Sequence, residues 1–412
     1  MKQSKITFLA SIGAGLEYYD YVLYVIFASY VSQNFFPSTN HVAALFATFG
    51  VFALGNIMRP LGGIIFGILG DHFGRKKVFT TTLLLMALAT FLMGITPTFA
   101  TIGLTATVIF SLCRILQGIT CGAEIPGATT FLLEHTHEKR HGLHFGFMTS
   151  AVGLGSSFAL FVAWIFTKTL SGEQMAAWGF RLPFLFGGTL ALVGFIIRKH
   201  IPETPAFLAL KKSENKLLAT INFHSFKQIC NTIGILMFPT CFITFFLALP
   251  VYLHDTYHYS FPDIYLAMTI GSLWTSFMIP VFGWASDHII SRKTLLLTAV
   301  LMFALFSFPL FSLLRLETHL ALFTFILLSK TVIAAMAASY FVLLPQAFQT
   351  AIRYTGTAFS YNIAYTIAAL IPLGMNYIYG ALQQPIYIMW MFILLAVITI
   401  ISTLTLKVKH DS

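Results

Sequence analysis

Residues 60–70 read PLGGIIFGILG, residues 71–77 read DHFGRKK, and residues 78–97 read VFTTTLLLMALATFLMGITP. Two apolar runs are joined by a short charged turn. A helix needs about 20 apolar residues to cross the hydrocarbon core of a bilayer. The second run has that length, and Arg75, Lys76 and Lys77 sit where the chain leaves the first run. The same grammar repeats along the chain. Apolar runs fall at roughly 8–34, 42–70, 78–97, 101–133, 143–168, 181–199, 227–253, 262–287, 294–314, 319–344, 355–380 and 385–406. The breaks between them carry turn or charge signals, among them Pro37-Ser38, Lys139-Arg140, Ser171-Gly172, Arg292-Lys293 and Gln383-Gln384-Pro385.

Composition agrees with this reading. Of 412 residues, 57% are hydrophobic and 9% charged. Soluble domains average about 45–50% apolar and about 25% charged. So few charges cannot cover a 45.8 kDa globule, and they exclude disorder, a coiled coil and a disulfide-stapled scaffold. Cys113, Cys121, Cys230 and Cys241 all lie in apolar runs without metal spacing. The apolar run after Lys2 and Lys5 continues past Glu17 and Asp20, so it is expected to be a permanent span and not a cleaved signal.

The net charge of +10 is explained by topology. With the N-terminus in the cytoplasm, cytoplasmic segments hold Lys2, Lys5, Arg75, Lys76, Lys77, Lys139, Arg140, Arg198, Lys199, Lys211, Lys212, Lys216, Lys227, Arg292, Lys293, Arg353, Lys407 and Lys409. Only Lys168, Arg181 and Arg315 lie outside, and Arg59, Arg114 and Lys330 lie within spans. This alternation obeys the positive-inside rule. It predicts an all-α integral membrane protein with twelve transmembrane helices, both termini cytoplasmic, and requires no nucleic acid. The polar stretch 200–226 is read as a cytoplasmic linker between six-helix bundles at 1–199 and 227–412. The halves echo each other. Asp71-x-x-Gly74-Arg75-Lys76 follows span two and Asp287-x-x-x-Ser291-Arg292-Lys293 follows span eight; Arg140-His-Gly142 and Arg353-Tyr-Thr-Gly356 stand at a near-equal offset. Parallel six-span repeats around a central site are a recurring transporter plan.

Gly67-x-x-x-Asp71-x-x-Gly74-Arg75-Lys76 and Arg114-x-x-Gln117-Gly118 resemble the signatures of the major facilitator superfamily. One branch is resembled more closely, the metabolite:proton symporters that include proline/betaine, citrate, oxoglutarate and shikimate carriers. The residues are Glu17-Tyr18-Tyr19-Asp20-Tyr21, Arg59-Pro60-Leu-Gly62, Gln117-Gly118-x-x-x-Gly122-Ala-Glu124, Trp178-Gly179-Phe180-Arg181-Leu-Pro183-Phe184, Pro202-Glu203-Thr204-Pro205-x-Phe207 and Arg353-Tyr354-Thr355-Gly356 with Asn362. The resemblance implies the major facilitator fold, with two pseudo-symmetric six-helix bundles, and implies a carrier, not an enzyme. It also implies that the Asp71–Lys77 segment latches an outward-open state.

Six ionisable residues inside spans are candidates for transport chemistry: Glu17, Asp20, Arg59, Arg114, Glu124 and Lys330. A charge at mid-bilayer costs about 2.5–3.5 kcal/mol on insertion scales, so it is usually functional or paired. Glu17 and Asp20, three residues apart, share a helix face and can load and release a proton, with Arg114 as the expected partner. Glu124 is a second proton site or an anchor of span four to span two through Arg59. Arg59 and Lys330, from opposite halves, are expected to bind an anionic group, which points to a carboxylate or zwitterionic substrate. Gln117, Tyr24, Tyr361, Asn362 and Tyr365 are polar spots that can line that site. Gating is assigned to Asp71, Arg75, Lys76, Glu134, Arg140, Asp287 and Arg292, with Asp71 meeting a helix N-terminus of the other half and Arg75 reaching Glu134 or the end of span eleven.

His137-Glu138-Lys139-Arg140-His141 matches the zinc-protease pattern, but it falls in a short basic turn, and no metal site is expected. No phosphate cradle or nucleophile elbow is present. The expected activity is proton-driven uptake of a small carboxylate-bearing metabolite by a monomer in the bacterial inner membrane, with the proton gradient and no cofactor as its energy source. A proton-coupled efflux antiporter is the alternative; the absence of the Gly-Pro signature in span five favours the symporter.

Overall fold

The computed structural model describes residues 3–36, 41–199, 201–212, 223–371 and 386–406. The tail lysines Lys407 and Lys409, the middle of the 200–226 stretch and the turns at Pro37-Ser38 and Gln383–Pro385 lie outside the described residues. Every regular element among the described residues is helical. The helices used below are α1 (Gln3–Ile26), α2 (Ala28–Phe35), α3 (His41–Ile57), α4 (Arg59–Phe73), α5 (Arg75–Ile95), α6 (Leu104–His135), α7 (His141–Thr169), α8 (Arg181–Arg198), α9 (Pro205–Lys212), α10 (Phe223–Tyr257), α11 (Phe261–His288), α12 (Arg292–Leu313), α13 (His319–Gln346), α14 (Arg353–Ala368) and α15 (Ile386–Thr405).

Ten stretches among the described residues are long and apolar enough to cross a membrane, so the chain is a multi-pass membrane protein. The first and eleventh of the expected twelve are not among the ten. Helix α1 has the length, but Glu17, Asp20 and four tyrosines dilute its apolar surface. Helix α14 is described over only 16 residues.

The chain divides into two compact units. One holds residues 1–135 and 151–217, the other residues 136–150 and 218–412. Helix α7 therefore contributes its first turns to the second unit and the remainder to the first.

In the first unit, α6 lies so close to α3 and α4 that no side chain fits between them. A Cβ on Gly118 would stand 1.9 Å from the Gly55 carbonyl oxygen, and one on Gly122 would stand 2.0 Å from that of Arg59. Small residues four apart allow this approach in lipid, where dispersion contacts and not the hydrophobic effect drive helix association. The consequence is functional, because the backbone of Arg59 is pinned against α6. Apolar filling surrounds this seam, with Phe35 stacked on Phe110 at 4.3 Å between ring centroids.

The second unit is cored by phenylalanines. The Phe242 ring lies 5.4 Å from Phe238, 4.5 Å from Phe303 and 5.4 Å from Phe392, joining α10, α12 and α15. Its helix starts use the hydroxyl residues found between apolar runs. Ser291 accepts from the Thr294 N–H at 3.1 Å to begin α12, and Thr318 accepts from Ala321 at 3.2 Å to begin α13. Each hydroxyl satisfies a backbone donor that the helix itself cannot.

Candidate functional site

The first unit gathers its intramembrane charges where α1, α4, α5, α6 and α8 meet. On α1, Glu17 forms an ion pair with Arg59 at 3.0 Å, and both side chains are buried. The sequence reading gave Arg114 as the partner of the α1 acids. For Glu17 the observed partner differs, because the Gly122 contact carries Arg59 to the α1 face.

One helical turn on, Asp20 is also buried, but no arginine among the described residues lies within ion-pair distance. Its Oδ2 accepts a 2.6 Å hydrogen bond from the Thr90 hydroxyl on α5. Thr90 accepts in turn from the Gln117 amide at 2.7 Å, and Gln117 Oε1 accepts from Arg114 Nη1 at 3.0 Å. Arg114 thus reaches Asp20 through two neutral side chains. Its guanidinium stands 4.6 Å from the ring centroids of both Tyr24 and Phe52, in cation–π range. The Tyr24 hydroxyl donates to the Thr48 carbonyl at 2.9 Å, which fixes that ring.

Glu124 belongs to a third group. It pairs with Arg198 at 2.7 Å, not with Arg59, and Thr82 donates to its other oxygen at 3.3 Å. Arg198 also donates to the carbonyls of Leu9 and Phe79 at 3.1 and 3.2 Å and lies 3.7 Å from the Phe79 ring centroid. The sequence placed Arg198 among the topology-setting cations. In the structure it is fully buried, since α8 brings it back over α1 and α5.

In the second unit, Lys330 on α13 lies over the Phe246 ring at 4.3 Å, and no carboxylate among the described residues is within ion-pair distance. On α14, the Tyr361 ring stands 4.5 Å from Tyr365. Asn362 donates to the Ala358 carbonyl of its own helix at 2.7 Å.

The expected gating residues fall into two clusters. Arg75 is buried between Asp71 at 3.2 Å and Glu134 at 3.4 Å, and its guanidinium stands 4.9 Å from the Phe207 ring. The segment after α8 closes this cluster. Glu203 accepts from the Lys76 backbone N–H at 3.0 Å, and its other oxygen would be 2.3 Å from a Cβ on Gly74, which adopts φ +113°. Only glycine supplies both that dihedral and that space.

The repeat counterpart of Asp71 makes a helix-terminus contact of the kind expected of Asp71. Asp287 accepts from the N–H groups of Gly142 and Leu143, both at 2.8 Å, at the start of α7. Arg292 pairs with the same carboxylate at 2.8 Å and donates to the Glu138 carbonyl at 2.9 Å. A carboxylate at a helix N-terminus satisfies orphan donors and meets the positive end of the dipole. Asp287→Ala is expected to weaken this cap by about 1–2 kcal/mol, so that amide hydrogen exchange at Gly142 and Leu143 accelerates roughly tenfold. Unchanged protection at those two amides would contradict the assignment. Arg140 stands apart: it is exposed, and no ion pair to it occurs among the described residues. The His137–His141 segment forms a 3-10 turn, Glu138–Arg140, leading into α7. Among the described residues no group of three or more potential ligands is placed to hold a metal.

A buried ion-pair network inside one helical unit, an acidic cap in the other and paired basic turns suit a carrier. The family model described as Major Facilitator Superfamily matches residues 10–372. The chain belongs to this superfamily. The proline/betaine transporter of Salmonella typhimurium is 30% identical, the match covering 98% of this chain and 84% of that protein. The glycine betaine/proline/ectoine/pipecolic acid transporter OusA of Dickeya dadantii is also 30% identical, over 97% of this chain and 82% of its own. Among solved structures, a double-tryptophan mutant of XylE superposes with a TM-score of 0.80 at 16% identity, covering 100% of this chain and 97% of that one. XylE bound to 6-bromo-6-deoxy-D-glucose gives 0.74 at 18% identity, covering 98% and 94%.

Within this superfamily member, sequence reasoning missed Thr90, Thr82 and Arg198, and gave Glu203 no role. A threonine inside an apolar run carries no signal of its own, and Arg198 beside Lys199 reads as a topology pair. Glu203 stood in a quoted motif, so its contact with the basic turn was the most accessible of the four.

Proposed function

We propose that this protein is a proton-coupled symporter that takes up a small zwitterionic or carboxylate-bearing metabolite by alternating access. It would act as a monomer in the bacterial inner membrane, with both termini cytoplasmic and the proton gradient as its sole energy source. The observation that carries the reading is the contrast between Asp20 and the other two acids. Glu17 and Glu124 are each held by an arginine, so protonating either breaks a buried ion pair. Asp20 bonds to a neutral hydroxyl, so a proton can come and go without breaking an ion pair.

Arg114 supports the substrate half of the reading. A buried guanidinium held by one amide and two aromatic faces retains donors for a carboxylate in fork geometry. The named relatives carry proline and betaine, which are zwitterions with one carboxylate each. Lys330, over the Phe246 ring, is a further intramembrane cation. Coupling then requires that proton and substrate each favour the same state of a two-state equilibrium.

The test uses purified protein in liposomes with labelled glycine betaine or proline. Acid outside and alkaline inside is expected to drive accumulation, and a protonophore is expected to abolish it. Uptake that ignores the pH gradient would overturn the symport reading. Accumulation driven by acid inside would replace it with antiport.

A further inference from the structure

We infer that Thr90 and Gln117 are positioning residues that carry the protonation state of Asp20 to the Arg114 guanidinium. The inference rests on the proposed proton site at Asp20. Its ground is the directionality of the hydrogen bonds. Arginine has donors only, so Gln117 must turn its Oε1 to Arg114 and its Nε2 to Thr90. Thr90 Oγ1 therefore accepts from Gln117, and its single hydrogen has two possible destinations. One is Asp20 Oδ2 at 2.6 Å and the other is the Met86 carbonyl, one turn back on α5, at 3.0 Å.

With Asp20 ionised, the charge-assisted bond holds the hydroxyl hydrogen on the carboxylate. All three bonds then point from Arg114 to Asp20, and each polarises the next. When a proton binds, a new O–H bond forms on Asp20. That O–H donates to Thr90, and the hydroxyl hydrogen rotates to the Met86 carbonyl. No other covalent bond changes. Thr90 now accepts from two donors, its hold on the Gln117 amide weakens, and Gln117 holds Arg114 less firmly. The guanidinium is released toward a substrate carboxylate. Protonation thereby precedes and promotes anion binding, which is the order that symport needs.

The titratable groups that interact electrostatically with Asp20 are Arg114 and Cys121 from α6 and Tyr19 from its own helix. Helix α5 presents Thr90. Helix α8 presents Gly187, where a Cβ would stand 2.9 Å from Asp20 Oδ1. The four members of the chain are all buried, so bulk solvent does not short-circuit the bonds between them.

The experiment compares two activities of the same proteoliposomes, with labelled glycine betaine as probe. One is accumulation under an imposed pH gradient; the other is substrate-for-substrate exchange at equal pH. Thr90→Val, which removes the hydroxyl at constant shape, is expected to lower the ratio of accumulation to exchange about tenfold, the scale of one lost buried hydrogen bond. Thr90→Ser is expected to restore it. Gln117→Leu cuts the chain at the next link and is expected to lower the same ratio, so it decides the matter if Thr90→Val does not run as a monodisperse protein. Equal losses of both activities, or a ratio equal to that of the parent protein, would overturn the relay. Asp20→Asn separates the two levels. If it still accumulates the probe, the proton site itself is wrong; if it does not while both relay variants behave as parent, only the relay is wrong.

Discussion

Asp20→Asn is expected to lower proton-driven accumulation about a hundredfold while substrate exchange falls far less, a loss of ~2.7 kcal/mol of coupling between proton and substrate. Asparagine keeps an acceptor for the Thr90 hydroxyl, so the hydrogen bond at that position survives. What it removes is the capacity to bind a proton. The measurement is the steady-state substrate ratio across proteoliposome membranes under an imposed pH gradient. Glu17→Gln is the control with the opposite profile. It strips Arg59 of its counter-charge, so exchange and stability should fall together. If Glu17→Gln uncouples cleanly and Asp20→Asn does not, the proton assignment moves to Glu17.

Arg198→Leu is expected to destabilise the protein by about 3–5 kcal/mol, the usual consequence of breaking a fully buried ion pair from one side. The loss here is compounded. Glu124 is left charged without its arginine, and the carbonyls of Leu9 and Phe79 lose the bonds donated by Arg198. Thermal unfolding of the detergent-purified protein should show it, as should a low yield of folded protein from membranes. The double variant Glu124→Gln with Arg198→Met should recover most of the loss, because it removes both charges at similar volume. A single variant as stable as the parent would mean that this pair does not anchor α1, α5, α6 and α8. Gly13 reports on the same site, since a Cβ there would fall 1.8 Å from Arg198 Nη2 and 2.0 Å from Glu124 Oε1.

Much of the site was legible as a short list, and much less of it as a set of partnerships. A charge in an apolar run is conspicuous, so Glu17, Asp20, Arg59, Arg114, Glu124 and Lys330 could be named from the sequence. Their pairing could not. A helical wheel gives the face a residue occupies on its own helix, but the neighbour it meets depends on how closely two helices approach. Gly118 brings α6 against α3, and Gly122 brings it against α4 and delivers Arg59 to Glu17, which frees Arg114 for the Gln117–Thr90 chain. Arg198 was misplaced for the same reason. At the end of an apolar run it resembles every other basic residue that marks a membrane edge.

The residues expected to gate show a similar division. The repeat of Asp71 in Asp287 was visible as spacing, and a carboxylate at a helix N-terminus was the expected contact. The described contact belongs to Asp287, on Gly142 and Leu143. Arg75–Glu134 was expected and is formed, at 3.4 Å. The docking of Glu203 on the Lys76 backbone was not, because backbone donors carry no residue identity.

By itself the sequence determined the solvent of this protein and its helical, membrane-crossing architecture. Apolar run length and the positions of basic turns are one-dimensional quantities, and the bilayer reads them directly. It also determined which side chains bear the high cost of burial in lipid. Only the tertiary structure decided which of those charges cancel. Ion pairs and hydrogen bonds act over about 3 Å, and residues as distant in the chain as Glu124 and Arg198 reach that separation only once the helices have packed. That is why Asp20, one of three acids inside the spans, is the one of those three with no arginine at ion-pair distance among the described residues.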